Sequence, residues 1–198
     1  MIDIKEALKR KVSKYKVVAL AGKAGAGKDT IFQEILKLNP NLNEIISCTT
    51  RPKRENEIDG KNYHFLTNIE FTKKILNNEM LEATVFNDWF YGTPLSSLDS
   101  NKINIGVFNP TGIEALSTNP NIELTSILIN TSDKNRLLRQ LNREENPNVD
   151  EIIRRYNTDK HDFIECFFDY EFVNNTLKDK RVAILEISRI IADLDRID

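Results

Sequence analysis

The chain is 198 residues long, 40% hydrophobic and 29% charged, with a formal net charge of −2. That length suits one complete α/β unit with a sizeable core, and the slight negative charge excludes a global basic field that would hold nucleic acid non-specifically. No stretch approaches the roughly 18 consecutive apolar residues of a membrane span.

The N-terminal MIDIKEALKRKVSKYK is charged and lacks an apolar leader core, so a soluble, untargeted chain is expected. Residues 16–22, KVVALAG, form a β-branched run ending in glycine and predict a buried strand, while IFQEILKL (31–38) predicts a helix. Between them lies AGKAGAGKDT (21–30), in which Gly22, Gly27 and Lys28 fit the phosphate-loop pattern G-x-x-x-x-G-K. Glycines let backbone N–H groups converge on phosphate oxygens, the helix N-terminus adds its dipole, and the lysine reaches the β and γ phosphates. Gly25, Ala26, Asp29 and Thr30 complete the expected ATP-binding set, with Thr30 placed to hydrogen-bond a phosphate oxygen. Asp29 stands where the pattern has a hydroxyl that binds Mg²⁺. A carboxylate is also a hard oxygen ligand, so Asp29 is the candidate metal ligand; the other reading is a first-turn acid favoured by the helix dipole.

Further apolar runs, NEIISC (43–48), INIGVF (103–108), IELTSILI (122–129) and EFVN (171–174), alternate with helical stretches and predict a mostly parallel sheet covered on both faces. The segment 49–93 breaks that rhythm with charge, turn residues and short alternating strands, the pattern of a small insertion. The polar stretch 136–156, with Asn146, Pro147 and Asn148 at its centre, predicts a helix–turn–helix lid. DKRVAILEISRIIADL (179–194) predicts an amphipathic packing helix. Cys48 and Cys166, in no C-x-x-C or metal spacing, fit packed thiols in a reducing cytoplasm.

Within SCTTRPKRENEIDGKNYHF (47–65), Arg51 and Arg54 are suited to fork onto a second phosphate, with Tyr63 as a phenolic donor. A donor loop combined with an acceptor phosphate site means phosphoryl transfer. The order Ser47, Thr49-Thr50-Arg51, Pro52-Lys53-Arg54, Glu57-x-x-Gly60-x-x-Tyr63-x-Phe65, Met80-Leu81-Glu82 and Tyr91-Gly92-Thr93 resembles the guanylate kinase family.

The resemblance implies a P-loop nucleoside monophosphate kinase fold: a parallel five-stranded sheet flanked by helices (core 1–46, 94–133 and 157–198), a small mixed α+β GMP-binding insertion (47–93) and a helical lid (134–156). It implies that Glu82 accepts guanine N1–H and N2–H, that Ser47 donates to O6, that Thr93 adds a base contact, and that Arg51, Arg54, Tyr63 and Tyr91 hold the monophosphate. Arg139 and Arg143, four apart on one helix face, and Arg155 on the next helix correspond to the family's lid arginines, which with Lys28 make the expected catalytic set. Arg154 reads as a surface ion-pairing residue, and Asn174 matches the element near the adenine of ATP. His64 and His161, the two histidines, read as surface or packing residues.

Two features depart from the family pattern. Asp29 replaces the loop hydroxyl, and GVFNPTG (106–112) places Val107 and Asn109 where L-D-x-D-x-x-G carries acids, so Asp29 is expected to compensate for the missing carboxylates. The implied reaction is ATP-dependent phosphorylation of GMP or dGMP to GDP or dGDP with Mg²⁺. Small nucleotides are the expected partners, without nucleic acid or membrane, in a monomer or homodimer. Two alternatives stand beside it: a deoxynucleoside monophosphate kinase of different base preference, and a guanylate-binding module that has lost transfer. Retention of Lys28, Arg139, Arg143 and Arg155 favours the kinase.

Overall fold

A computed structural model of the chain describes residues 14–55, 57–86 and 88–196; the charged N-terminal stretch discussed above lies, up to residue 13, outside the described residues. Strand β1 (Tyr15–Ala21) is the centre of a five-stranded, all-parallel sheet whose order is β2 (Asn43–Glu44), β7 (Asn104–Val107), β1, β8 (Ile122–Asn130), β9 (Tyr170–Val173). Side chains of β1 alternate between two cores. Val18 and Leu20 meet Ile31 and Ile35 of α1 (Lys28–Leu38) and Ala183, Ile184 and Ile187 of α6 (Leu177–Asp195) on one face. Val17, Ala19 and Ala21 meet Ile45, Phe108 and, from α3 (Pro110–Ser117), Ile113 and Leu116 on the other. A strand covered on both faces has no polar side, which is why 16–22 reads as a continuous apolar run.

The run NEIISC does not form one strand. Asn43–Glu44 pair with β7, whereas β3 (Cys48–Thr49) joins a second, four-stranded sheet of order β4 (His64–Phe65), β3, β6 (Trp89–Pro94), β5 (Met80–Phe86). Ile45 is buried in the large core and Cys48 under the small sheet, so the apolar run continues unbroken while the chain crosses from one sheet to the other. The small sheet mixes a parallel β3–β4 pair with antiparallel β3–β6 and β5–β6 pairs. Its packing helix α2 (Asn68–Leu76) begins with a reciprocal Thr67–Glu70 capping box and buries Phe71 completely, stacked 5.4 Å from Phe90. Gly92 lies where a Cβ would meet the Glu82 carbonyl at 2.7 Å and the Phe71 ring at 3.0 Å, so no larger residue fits between strand and helix there.

Helices α4 (Asp133–Leu141) and α5 (Val149–Asp162) follow β8, joined by residues 142–148; the expected lid boundary at 156 falls within the continuous helix α5. Among the described residues no helix is long and apolar enough to cross a membrane. Cys48 and Cys166 are free thiols, and burial pushes the Cys48 thiol up to about 11, the behaviour of an inert packed cysteine.

Phe71 is the main apolar link between α2 and the small sheet. Phe71→Ala should cost about 3–5 kcal/mol and lower Tm by roughly 6–20 °C, measured by thermal unfolding followed by circular dichroism.

Candidate active site

In parallel sheets the crevice beyond the carboxyl ends of the strands is the usual ligand site, and here the segments that follow β1, β2 and β7 line it. The segment after β1 is the phosphate loop, 22–27. Gly27 closes it as the N-cap of α1 at φ 83°, and no side chain caps the helix, so its first N–H groups remain directed outward for an anion. The carbonyls, by contrast, are held from behind. Asn174 Nδ2 donates to the Ala26 carbonyl at 2.7 Å, Thr131 Oγ1 at 3.1 Å and Arg139 Nη1 at 3.1 Å, while Arg136 Nε donates to the Ala24 carbonyl at 3.0 Å. A Cβ on Gly27 would come within 2.6 Å of the Asn174 amide, and one on Gly25, at φ 80°, within 2.5 Å of the Arg136 carbonyl. Both positions need glycine for conformation and for space.

A cleft of ≈280 Å³ opens between this loop and the small sheet. Of the predicted residues, Gly22, Lys28, Ser47, Arg51, Arg54, Tyr63, Glu82, Tyr91 and Arg155 line it. Glu82, on β5, accepts a hydrogen bond from Thr93 Oγ1 at 2.8 Å, and burial raises its pKa against the opposing effect of Thr93. Thr93 is itself fully buried outside the lining, so it bears on the cleft through Glu82.

On the other side of the cleft three arginines converge. Arg51, 6% exposed, forks onto Glu57 at 2.9 and 2.7 Å and lies over the Tyr63 and Phe65 rings at 5.5 and 5.6 Å. Glu57 also accepts the Arg54 backbone N–H at 2.8 Å, which fixes the 51–57 turn. The Arg54 guanidinium is driven down in pKa by partial burial and by the charges of Arg51 and Arg155, the condition of cations gathered where an anion belongs. The Tyr63 phenol, edge-on to Tyr91 at 6.1 Å, is raised chiefly by burial, with the Tyr91 and Asp29 charges adding to it. On α5, Arg155 Nε pairs with Glu151 at 2.7 Å, and Arg154 forks onto the same carboxylate, as its reading as a surface partner anticipates. Those two arginines hold Glu151 down at about 2.

Other expected residues lie outside the lining. Gly25, Ala26, Gly27 and Thr30 form the loop wall and the start of α1. Asn174, 3% exposed, and Arg139 spend their donors on backbone carbonyls of the loop, and Arg139 Nη2 also donates to the Asn174 carbonyl at 2.7 Å. Arg143 is exposed on the 142–148 segment, away from the cleft. Sequence reasoning missed Thr84, Trp89, Asp159 and Asp162, which also line it. For the α5 residues a signal existed: Asp159 and Asp162 follow Arg155 by four and seven positions, one helix face.

Asp29 presents a side chain 74% exposed, its carboxylate 3.9 Å from Lys28 Nζ. Among the described residues no group of three His, Cys, Asp or Glu is placed to cage a metal ion. Mg²⁺ needs no such cage, because it keeps several waters and takes one or two carboxylates with substrate phosphates as its other ligands. A single accessible carboxylate beside the phosphate-loop lysine fits that requirement. Asn109, in place of an acid, caps α3 by accepting the Gly112 N–H at 2.7 Å, and Val107 contributes an apolar wall.

The guanylate kinase family model matches residues 14–192. A guanylate kinase from Thermotoga maritima is 34% identical over 181 residues, covering 89% of this chain and 87% of its own. One from Carboxydothermus hydrogenoformans is 53% identical over a shorter stretch of 79 residues, 39% of this chain and 38% of its own. The crystal structure of a guanylate kinase from Anaplasma phagocytophilum shares the fold, with a TM-score of 0.68 at 20% identity over 93% of this chain and 88% of that one. With a match running through both sheets and through α4 and α5, the chain belongs to the guanylate kinase family.

Proposed function

We propose that the chain transfers the γ-phosphoryl group of ATP to GMP or dGMP, giving ADP and GDP or dGDP, in a cytoplasmic setting. The observation that carries this reading is the pairing, in one cleft, of the buried Glu82–Thr93 acceptor with the Arg51–Arg54–Tyr63 cluster, facing Lys28. A carboxylate accepts two N–H groups from guanine N1 and N2, whereas adenine offers a lone pair at N1 and is repelled. Ser47 serves O6, and Arg51, Arg54, Tyr63 and Tyr91 hold the monophosphate so that one of its oxygens faces the donor. A guanylate-binding module without transfer is not favoured, because the donor loop is intact and the first turn of α1 carries no capping side chain.

Phosphoryl transfer requires positioning and charge stabilisation more than covalent participation by the protein. Lys28 neutralises the β and γ phosphates from the loop, and Arg155, on the cleft side of α5, meets charge developing on the transferred group. Arg139 supports the loop through the Ala26 carbonyl, and Arg143 reaches the phosphates only when the 142–148 segment closes inward. Asp29 is the residue that would hold Mg²⁺, which would supply neutralisation of the phosphate charge. Asn174 fixes the loop edge beside which the adenine would lie.

With Mg-ATP, ADP release should occur with GMP and dGMP and not with AMP, dCMP or dTMP; Lys28→Ala should lower kcat at least about 100-fold. Turnover with every acceptor, or with none, would overturn the reading. Asp29→Ser should raise the Mg²⁺ concentration needed for half-maximal activity several-fold, and equal or better turnover at limiting Mg²⁺ would remove Asp29 as the ligand.

Burial raises the Glu82 pKa, so the folded state favours its protonated form. The stability contributed by that proton is present below the unfolded-state pKa and is lost as pH rises through the folded value. Glu82→Gln should therefore hold or raise Tm at pH 8 while lowering kcat/KM for GMP by about 10–100-fold, the equivalent of ~1.5–3 kcal/mol for a charged hydrogen bond. The wild-type loss of kcat/KM toward acid pH, beyond that from the phosphate's own titration, should be absent in the variant.

A further inference from the structure

Behind the phosphate loop lies an ion pair with no place in the chemistry above. Arg136, on α4, is completely buried. Its Nη2 donates to Asp159 Oδ2, on α5, its Nη1 donates to Asp133 Oδ1 at 2.9 Å, and its Nε donates to the Ala24 carbonyl at 3.0 Å. The same Asp159 oxygen accepts the Ala24 N–H at 2.8 Å. Both polar groups of one loop residue are thus held by two side chains, one from each lid helix. Tyr156, with its hydroxyl on Asp133 at 2.7 Å and its ring 5.2 Å from the Arg136 guanidinium, ties the two helices together at this point.

Buried ion pairs are poor stabilisers, since desolvation offsets most of their attraction and apolar replacements are often neutral. A pair kept here needs another reason, and its partner supplies one. Asp159 lies one helical turn beyond Arg155 and lines the same cleft, so the helix face that presents the lid arginine also grips the loop.

We infer that Arg136 and Asp159 are positioning residues: through Ala24 they set the geometry of the phosphate loop for ATP and tie it to the lid helix that carries Arg155. This rests on the reading of the loop as the ATP site. Neither residue need touch the reacting atoms.

The deciding comparison is the double variant Arg136→Met/Asp159→Leu, which replaces the buried pair by apolar groups and removes both short hydrogen bonds that hold Ala24, leaving only the 3.5 Å contact of Gln140 with its carbonyl. Trp89, the single tryptophan, lines the acceptor side of the cleft, so GMP binding can be followed by its fluorescence without turnover. ATP affinity is measured by calorimetry alongside kcat and both KM values. We expect Tm and the GMP-dependent Trp89 signal to stay near wild type, with the ATP Kd and KM raised at least about tenfold. Should the double variant not fold, Asp159→Asn, which keeps the volume and an acceptor for Ala24, should weaken ATP at least threefold. A folded double variant, or that asparagine variant in its place, with wild-type ATP affinity would overturn the inference and leave the kinase reading standing. Wild-type protein that binds ATP but turns over no acceptor would sink the kinase reading while the ATP Kd comparison still decides this one; wild-type protein that binds no ATP would sink both.

Discussion

The rest of the structure depends on the 22–27 loop, whose Ala24 and Ala26 carbonyls are satisfied from behind while the first turn of α1 that follows it carries no capping side chain. A buried or half-buried peptide that leaves either group unpaired is costly, so an anion site built from backbone amides needs partners on its far side. Here those partners come from segments after β8: Thr131 just past its end, Arg136 and Arg139 on α4 and Asn174 after β9 hold the carbonyls, while Asp159 on α5 accepts the Ala24 N–H. The order of strands in the sheet places these segments at one edge, behind the loop that follows the central strand. Gly25 and Gly27 are the other half of the same constraint, since the supporting side chains and backbone come too close to permit a Cβ.

The acceptor side is built on a different principle. Its groups are side chains carried by a small mixed sheet, and their charges are set before a ligand arrives. Glu57 orients Arg51 through two hydrogen bonds and the Arg54 turn through a third, leaving the guanidinium pressed against Tyr63 and Phe65. Thr93 does the same for Glu82. Preset side chains lose little freedom on binding, and the arrangement sets a carboxyl group, Glu82, apart from the cationic Arg51 and Arg54, a polarity that on the proposed reading would orient a nucleotide as well as hold it.

Much of this was legible in the sequence, for identifiable reasons. The phosphate loop combines a β-branched run, glycines at fixed spacing and a following helical period, each with a local physical cause, and the fold places it where that pattern requires. The insertion could be read because its charged and aromatic residues keep their order along short strands. What stayed hidden depends on partners distant in sequence. Whether NEIISC is one strand or two turns on which sheet each end joins, and burial at Ile45 and Cys48 looks the same in either case. The resemblance implies ligand contacts for Arg139 and Asn174, but nothing near either residue in sequence shows that both also donate to the carbonyl of Ala26, more than a hundred residues away. Arg136 lies in a stretch whose polar sequence carries no sign of its complete burial.

The cleft's cations also bear on how closely α5 can approach the small sheet. Arg51 has a carboxylate partner, but Arg54 sits between Arg51 and Arg155, whose charges work against its own. Bringing α5 nearer would crowd those positive groups further into a water-poor space, where like charges repel more strongly. A monophosphate placed among Arg51, Arg54 and Tyr63 reverses the sign of that interaction, and the donor phosphates at Lys28 do the same from the loop side. On the proposed reading, two bound anions would offset that repulsion together where either alone offsets only part of it, so the electrostatics that bind both substrates would also favour the approach of α5 that excludes water.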